Sequence, residues 1–152
     1  MADVRSVDLT TTEIEEFLGS SGSAVLAVAR DDQPYAFPVS YGFEDVSEGF
    51  YLRLGYTEDS AKAAFIDEPC PAQLVVYEDT ENDAGGLDLK SVVATGELVR
   101  IPKDELTPDD VEKLSKARTP EFEVWEQAKE DIEFRVNRLV PESVTGRRNV
   151  LE

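Results

Sequence analysis

The alternation of side-chain size over residues 34–43 is the clearest pattern in the chain. The sequence there, PYAFPVSYGF, has a large apolar side chain at every second position and a small uncharged one in between. A β-strand points successive side chains to opposite faces, so this strand has one bulky face and one nearly flat face. A flat face lets a planar ring or another backbone approach closely, although packing against a neighbouring element also explains it. The bulky positions are Tyr35, Phe37, Val39, Tyr41 and Phe43, and the small ones are Ala36, Pro38, Ser40 and Gly42.

Five further segments have the composition of strands. Turn-rich links at 31–34 and 45–49 separate some of them and predict antiparallel hairpins. With a few helices, these strands predict one mostly β (α+β) domain over residues 1–152, an antiparallel barrel of about six strands with short flanking helices. Residues 141–152 are predicted to form a polar, basic tail. The five segments are 24–30, 50–54, 72–77, 89–100 and 132–140.

An amphipathic helix is predicted over residues 10–18, because its apolar residues share one face. Thr12 and Glu15 have the spacing of a capping box, and Gly19 is a typical residue at a helix end. The apolar residues of the helix are Ile14, Phe17 and Leu18.

Two more helices are predicted farther along the chain. One runs from Ser60 to about residue 67 and stops before Pro69, which cannot continue a helix. The other follows Pro108. Between them, the acidic run and paired glycines of residues 78–86 predict a long exposed hairpin loop. The apolar contacts expected from the last helical stretch are Val111, Leu114, Phe122, Val124 and Trp125.

The composition excludes several kinds of chemistry. The chain has 152 residues, one cysteine and no histidine. Cys70 therefore has no partner for an internal disulfide, a zinc site is not expected, and histidine acid–base catalysis is excluded. The N-terminus lacks an apolar signal core, and no apolar run approaches the roughly 20 residues that span a bilayer, so a cytoplasmic protein is expected.

Acidic residues dominate the charge. The chain has 33 Asp and Glu against 15 Lys and Arg, a net charge of −18, and the acids are spread along it. Binding to a phosphate backbone requires clustered basic residues, so nucleic acid is not expected as a partner. Dispersed acid on a folded domain favours adaptation to high salt, because salt screens the self-repulsion. An acidic surface for a basic partner protein is the alternative.

Two basic residues are candidates for holding an anion. Lys62 falls in the first turn of the predicted second helix, where a cation is unfavourable unless an anion is bound there with Ser60. Arg53 ends the strand that leads to that helix and could reach the same anion. The alternatives are that Lys62 pairs with Glu58 or Asp59 and that Arg53 is a solvated edge residue.

An ordered set of short motifs resembles the pyridoxamine 5'-phosphate oxidase-like split barrels, in particular their short flavin-nucleotide-binding branch. The resemblance covers residues 12–145 and implies an FMN-binding split barrel that is a homodimer, with the flavin at the dimer interface. The motifs are QPYAFPVSYG, YLRLG, SAK and KSVVATG.

The resemblance also implies a set of cofactor-binding residues. Residues 38–41 would contact the isoalloxazine ring through their backbone, and the flat strand face would lie against the flavin. Arg53 and Leu54 match the strand end beside the phosphate. Ser60 and Lys62 match the phosphate-binding motif, and Ser91 matches a polar residue that contacts the flavin. The ring-contacting residues are Pro38, Val39, Ser40 and Tyr41.

The departures from the family pattern separate this chain from true pyridoxamine phosphate oxidases. Those enzymes have an arginine where Phe37 stands, a substrate-binding lysine where Gly42 stands and a C-terminal Arg-x-His motif. Ala61 also replaces one phosphate-binding cation. The histidine that nitroimidazole-reductase relatives use near Leu54 is absent as well. The resemblance therefore implies flavin binding more strongly than any one reaction.

Three functions remain. The first is an FMN-dependent oxidoreductase of unspecified substrate, in which the flavin supplies the redox chemistry. The second is a non-catalytic module that stores or carries the flavin. The third is a deazaflavin-dependent reductase, because split barrels also occur in that family.

Overall fold

The computed structural model describes residues 4–56, 62–66, 70–83, 85–116 and 133–151. Within them the chain forms seven strands and three α-helices, and a 3-10 turn lies at Lys103–Glu105. The strands are β1 (Val4–Asp8), β2 (Ser21–Arg30), β3 (Gln33–Phe43), β4 (Phe50–Tyr56), β5 (Cys70–Glu81), β6 (Leu87–Ile101) and β7 (Glu133–Leu151), and the helices are α1 (Thr11–Leu18), α2 (Lys62–Phe65) and α3 (Pro108–Ser115).

Six of the strands close into a barrel. The strand order is β1-β7-β4-β3-β2-β5-β6, and an additional β7–β6 pairing closes the ring, with β1 as an extra strand beside β7. Every pairing is antiparallel. The predicted mostly β, antiparallel six-stranded barrel with short helices is therefore confirmed.

The bulky face of β3 lies inside the barrel, as its alternation predicts. Tyr35 is half-buried, and the other large side chains of this face are at most 7% exposed. The matching inward positions of β4 are fully buried, since Phe50 packs edge-on against Tyr41 and lies 4.9 Å from the Phe43 ring.

The opposite side of the sheet formed by β3, β2, β5 and β6 is almost free of charge. The ladders place Pro38, Val25, Val75 and Val93 side by side on successive strands. Charged residues make up 32% of the chain, yet none occurs at the twelve outward positions of this region. We call these positions the uncharged outer face: Ser23, Val25, Ala27, Ala36, Pro38, Ser40, Gln73, Val75, Tyr77, Ser91, Val93 and Thr95.

Helix α1 covers one end of the barrel. Its N-cap is Thr10, which forms a capping box with Glu13, so the box predicted at Thr12 and Glu15 is wrong by two residues. Gly19 ends the helix as predicted. The Tyr41 hydroxyl donates to the Leu18 carbonyl (2.9 Å), and burial raises the pKa of this phenol to about 12.

Two segments expected to be irregular belong to the sheet. Residues 141–151, predicted as a tail, form the second half of β7 and pair with β6 and β1. Strands β5 and β6 extend to Glu81 and Leu87, so the long loop predicted at 78–86 is a short turn. The sequence pattern does not predict these strand segments, because their side chains face water on both sides of the sheet and so show no alternation of apolar and polar residues.

Helix α3 is held against β3 and β4 by one buried ammonium. Lys113 is 3% exposed, and its Nζ lies 2.9 Å from Asp109, 3.1 Å from Glu48 and 3.2 Å from Glu44. Hydrogen bonding to Asp109 is the largest of the effects that raise the pKa of Lys113. We call Lys113 and these three carboxylates the Lys113 cluster.

The apolar contacts predicted for this helix are only partly correct. Leu114 is buried as predicted, whereas Val111 is 51% exposed. The remaining predicted contacts, Phe122, Val124 and Trp125, lie outside the described residues. Helix α3 therefore depends on charge more than its sequence suggests.

Candidate functional site

The barrel is split between β3 and β4. Their ladder contains only three paired positions, from Tyr41 opposite Leu52 to Phe43 opposite Phe50. Residues 33–40 pair with β2 but have no ladder partner on the β4 side among the described residues. An unpaired strand edge presents backbone N–H and C=O groups to a ligand. The predicted ring-contacting residues 38–41 lie where this edge begins.

The side chains of these four residues point in alternate directions. Val39 and Tyr41 face the barrel interior and are each 1% exposed, so they have only backbone to offer at the split. Pro38 is exposed on the uncharged outer face, and Ser40 is 6% exposed there. The flat surface inferred from the sequence is therefore accessible at Pro38.

Arg53 lies at the same split. The position after the last β3–β4 pair brings Ser40 and Arg53 next to each other, both facing outward. The side chain is partly buried, and it forms no hydrogen bond or ion pair within the described part of the chain. Arg53 is thus available to bind an anion.

Lys62, the first described residue of α2, packs against the end of β4. Its Nζ donates to the Gly55 carbonyl (2.9 Å) and lies 5.3 Å from the centre of the Phe37 ring. The residue is 8% exposed. The structure brings Lys62 and Arg53 to the same strand end, while Ser60 lies outside the described residues.

Aromatic packing fixes α2 at the split. Phe65 stacks on Tyr35 with ring centres 5.0 Å apart, and Tyr35 in turn contacts Phe37 at 5.2 Å. Leu54 points into the core and is fully buried, so like Val39 it can meet a ligand only through its backbone.

Ser91 does not join this cluster within one chain. It lies on β6, which is three strands from β3 in either direction around the barrel. At about 4.8 Å per strand this is a separation of roughly 14 Å, more than one side chain spans. Ser91 instead faces Arg147 across the β6–β7 ladder.

One further cation at the strand end was not singled out by the sequence. The Arg135 guanidinium stacks 4.3 Å from the centre of the Tyr56 ring and pairs with Glu133 at 3.3 Å. The sequence does not indicate this stacking, because a single arginine in a polar strand has no distinctive pattern.

The comparisons with known proteins assign the chain to a family. Residues 10–148 match the family model described as pyridoxamine 5'-phosphate oxidase. The chain belongs to this family. No curated protein matches the sequence.

Solved structures of similar proteins share the fold. The chain resembles the FAD-binding protein mll6688 from Mesorhizobium loti (TM-score 0.65, 23% identity, 98% of each chain covered). It also resembles an FAD-binding protein from Mycobacterium smegmatis (TM-score 0.61, 16% identity, 93% of this chain and 98% of that one). An FAD- and heme-binding protein from the same organism matches at a TM-score of 0.58 and 17% identity, over 90% and 70% of the two chains. At these identities the likeness establishes the split-barrel fold.

The positions where this member of the pyridoxamine 5'-phosphate oxidase family departs from the true oxidases carry no charge. Phe37 is 7% exposed and points into the barrel. Gly42 is buried opposite Tyr51, whose ring lies near Lys113 (5.6 Å) and Arg138 (5.7 Å). Neither position can supply a cation for a second phosphate.

No helix in the described ranges has the length and apolar character needed to cross a bilayer.

Proposed function

We propose that the protein binds FMN at the split between β3 and β4 and acts as a flavin-dependent oxidoreductase in the cytoplasm. The observation that carries this proposal is Arg53, a partly buried guanidinium that has no protein partner among the described residues and borders an open strand edge. A guanidinium suits a phosphate because its planar fork donates two parallel hydrogen bonds.

The residues at the split fit the two parts of the cofactor. The exposed surface at Pro38 and the open backbone edge of residues 38–40, next to the paired Tyr41, offer a planar ring an uncharged support. Arg53 and Lys62, with Ser60, would hold the phosphate, and Lys62 also donates to the Gly55 carbonyl. When bound, the flavin supplies the redox chemistry, and the residues of the chain bind and orient it.

A second copy of the chain would complete the site. Ser91 and Arg53 are far apart in one chain, because their ladder partners on β7, Arg147 and Val136, are roughly 35 Å apart along that strand. A two-fold dimer through the uncharged outer face would instead bring in the partner's Ser91. Tyr77, 70% exposed on this face, gives it an apolar anchor. We therefore propose a homodimer. Sedimentation at fixed molar salt should give twice the chain mass, and Val25→Asp should give monomers.

The reaction is proposed to differ from pyridoxamine phosphate oxidation. Phe37 and Gly42 provide no cation for a substrate phosphate, and an unheld substrate loses the positioning on which rate depends. Purified protein loaded with FMN should form no appreciable pyridoxal phosphate from pyridoxamine phosphate. Rapid formation of that product would show that the substrate is held by other residues.

The test of the cofactor proposal is a pair of titrations with FMN and riboflavin at fixed high salt. Arg53→Ala should weaken FMN binding about 10- to 100-fold, because a charge-assisted hydrogen bond contributes about 1.5–3 kcal/mol. Lys62→Ala should act in the same direction. Riboflavin lacks the phosphate, so its affinity should change little in either variant. Arg5→Ala, which removes an exposed arginine from β1, is the matched control for net charge.

The outcomes separate the remaining functions. Equal FMN affinity in the parent and in both variants would place the phosphate elsewhere. Preference for a deazaflavin over FMN in parallel titrations would favour the deazaflavin-dependent reductase. Tight FMN binding without reduction of the bound flavin by reduced nicotinamides would favour a carrier.

The acidic surface is proposed to be an adaptation to high salt. Screening of a net charge of −18 should raise the melting temperature steeply as potassium chloride increases. A melting temperature that stays flat up to molar salt would favour a basic partner protein instead.

A further inference from the structure

A row of outward side chains crosses the barrel strands and has an arginine at each end. The β2–β3, β5–β6 and β6–β7 ladders set neighbouring members side by side, and the other two steps continue the β2–β5 and β3–β4 ladders by two residues and one residue. The middle members belong to the uncharged outer face, so the row has charge only at its ends. From β4 to β7 its members are Arg53, Ser40, Ser23, Tyr77, Ser91 and Arg147.

Arg147, at the β7 end of this row, has only a weak partner in its own chain. Its single ion pair within the described ranges is with Asp8, at 3.7 Å, and the two side chains are 61% and 86% exposed. A pair this long and this exposed contributes little to stability. The neighbouring Arg148 differs, because it makes hydrogen bonds of 2.6 and 3.0 Å to Asp88. The guanidinium of Arg147 can therefore turn to another anion.

The homodimer proposed above, on which this inference rests, can bring the two ends of the row together. Consider a two-fold axis that lies in the interface, parallel to the strands and between β2 and β5. It sets β2 opposite the partner's β5, β3 opposite its β6 and β4 opposite its β7, and each row stays opposite the same row. The partner's Ser91 then faces Ser40, and the partner's Arg147 faces Arg53.

The next row of the uncharged outer face fits the same axis. It contains Pro38, Val25, Val75 and Val93 side by side. The axis sets Val25 against the partner's Val75 and Pro38 against the partner's Val93, so apolar side chains meet across the interface. An axis that runs along the rows would instead set each strand against its own copy, and β6 would not reach the partner's split.

The two arginines that face each other need an anion between them. Like charges repel at short range, and an anion shared by two guanidinium forks reverses the sign of the interaction. The outside of a closed barrel is convex, so the two faces touch at β2 and β5 and separate towards β4 and β7. Space for a ligand is therefore left where Arg53 and the partner's Arg147 face each other.

We propose that the partner's Arg147 is a further cation of the flavin-phosphate site and holds the phosphate from the side opposite Arg53. Each dimer then has two such sites, and neither site is complete in one chain. FMN binding and dimer formation are consequently linked, because a ligand that contacts both chains favours the associated state.

The test combines Arg53→Ala in one chain and Arg147→Ala in the other. Two differently tagged chains are co-expressed, the mixed dimer is isolated at fixed molar salt, and FMN is titrated by the quenching of its fluorescence. One site should keep both arginines and the other should have neither. The mixed dimer should therefore bind one FMN with the parental affinity and a second at least about 10-fold more weakly. If each arginine acted within its own chain, both sites would be weakened.

The stability of the dimer is a second measurement. Without flavin, Arg147→Ala should tighten the dimer by a few-fold, because the facing guanidiniums no longer repel each other. With FMN the parent dimer should gain more stability than the variant dimer. Sedimentation at a series of protein concentrations measures both changes.

Arg148→Ala is the matched control, because it makes the same change of charge one residue away on the opposite face of β7. Its homodimer should bind FMN as the parent does, and riboflavin binding should change little in any variant. A mixed dimer without a tight site, or an Arg147→Ala homodimer with unchanged FMN affinity, would overturn this inference alone. A parent that stays monomeric or does not bind FMN would overturn the proposed function, and this inference with it.

Discussion

Arg53 and Lys113 are two sequestered cations with opposite surroundings. Lys113 is almost fully buried and contacts three carboxylates within 3.2 Å. Arg53, only two residues from Tyr51 on β4, is partly buried and has no carboxylate partner in the described ranges. The Tyr51 ring itself lies beneath Lys113. Two cations close to the same strand, β4, therefore have opposite surroundings.

This difference in carboxylate neighbours distinguishes a cation with a structural role from a cation with a binding role. In a chain with more than twice as many acids as bases, a cation that stabilises the fold readily acquires carboxylate neighbours. Arg53 is partly buried and has no such neighbour among the described residues. We infer that Lys113 holds α3 in place and that Arg53 is kept for an external anion.

The largest expected effect is the loss of the Lys113 cluster. Lys113→Met should lower the free energy of unfolding by about 2–4 kcal/mol, because it leaves three carboxylates facing one another without their common counterion. Urea denaturation at constant potassium chloride measures this change. Lys116→Met, at the C-cap of the same helix, is the control and should stay within about 0.5 kcal/mol. A similarly small effect of Lys113→Met would remove the structural half of the comparison.

Alkaline pH should destabilise the barrel through Tyr41, which faces the interior near the split. Burial raises the pKa of this phenol to about 12, so the folded state favours the neutral form. Its contribution is present below the unfolded pKa of about 10 and is lost as the pH rises through about 12. The loss is on the order of 2 kcal/mol. Urea midpoints across this pH range should fall less steeply for Tyr41→Phe than for the parent.

A smaller effect is expected from the contact between β4 and α3. The Tyr51 hydroxyl donates to the Asp110 carboxylate at 3.2 Å. Tyr51→Phe removes this bond but keeps the ring beneath Lys113, so the free energy of unfolding should fall by about 1 kcal/mol. A double-mutant cycle with Asp110→Asn isolates the pair. If the two changes are simply additive, the hydroxyl does not contribute to the docking of α3.

The smallest effect on stability should come from Arg53→Ala. No partner is lost among the described residues, so the free energy of unfolding should stay within about 0.5 kcal/mol of the parent. Thermal unfolding without flavin measures this. With FMN present, the parent should gain more stability than the variant, because ligand binding stabilises the folded state. A large loss without flavin would show that Arg53 is structural.

The sequence predicts well what depends on local alternation. The pattern of residues 34–43 predicts which face of β3 is buried, because the burial of each side chain follows from its own size and polarity and from its place in the alternation. It also predicts the end of α1 at Gly19. The second half of β7 is missed because its side chains are polar, and its pairing with β6 is a long-range property that no local pattern contains.

The site is harder to predict because it depends on packing between elements. The sequence singles out Lys62 and Arg53 but cannot show that Nζ of Lys62 donates to the Gly55 carbonyl. The sequence places Ser91 in the same site, whereas in the barrel Ser91 lies on β6, three strands from β3. Nor does the sequence reveal the Lys113 cluster. Glu44 and Glu48 lie in the turn before β4, whereas Asp109 and Lys113 lie on α3.

The length of β7 has a consequence for how the chain folds. This strand pairs with β1, β4 and β6, all of which precede it in the sequence, and it alone joins the two ends of the curved sheet. During synthesis the barrel therefore cannot close until this last strand has been made. Pairing of β1 with β7 links positions more than a hundred residues apart, and such long-range contacts slow folding. Until then the exposed edges of β4 and β6 face each other without a partner, and the nascent chain is open to the intermolecular strand pairing that a closed barrel prevents.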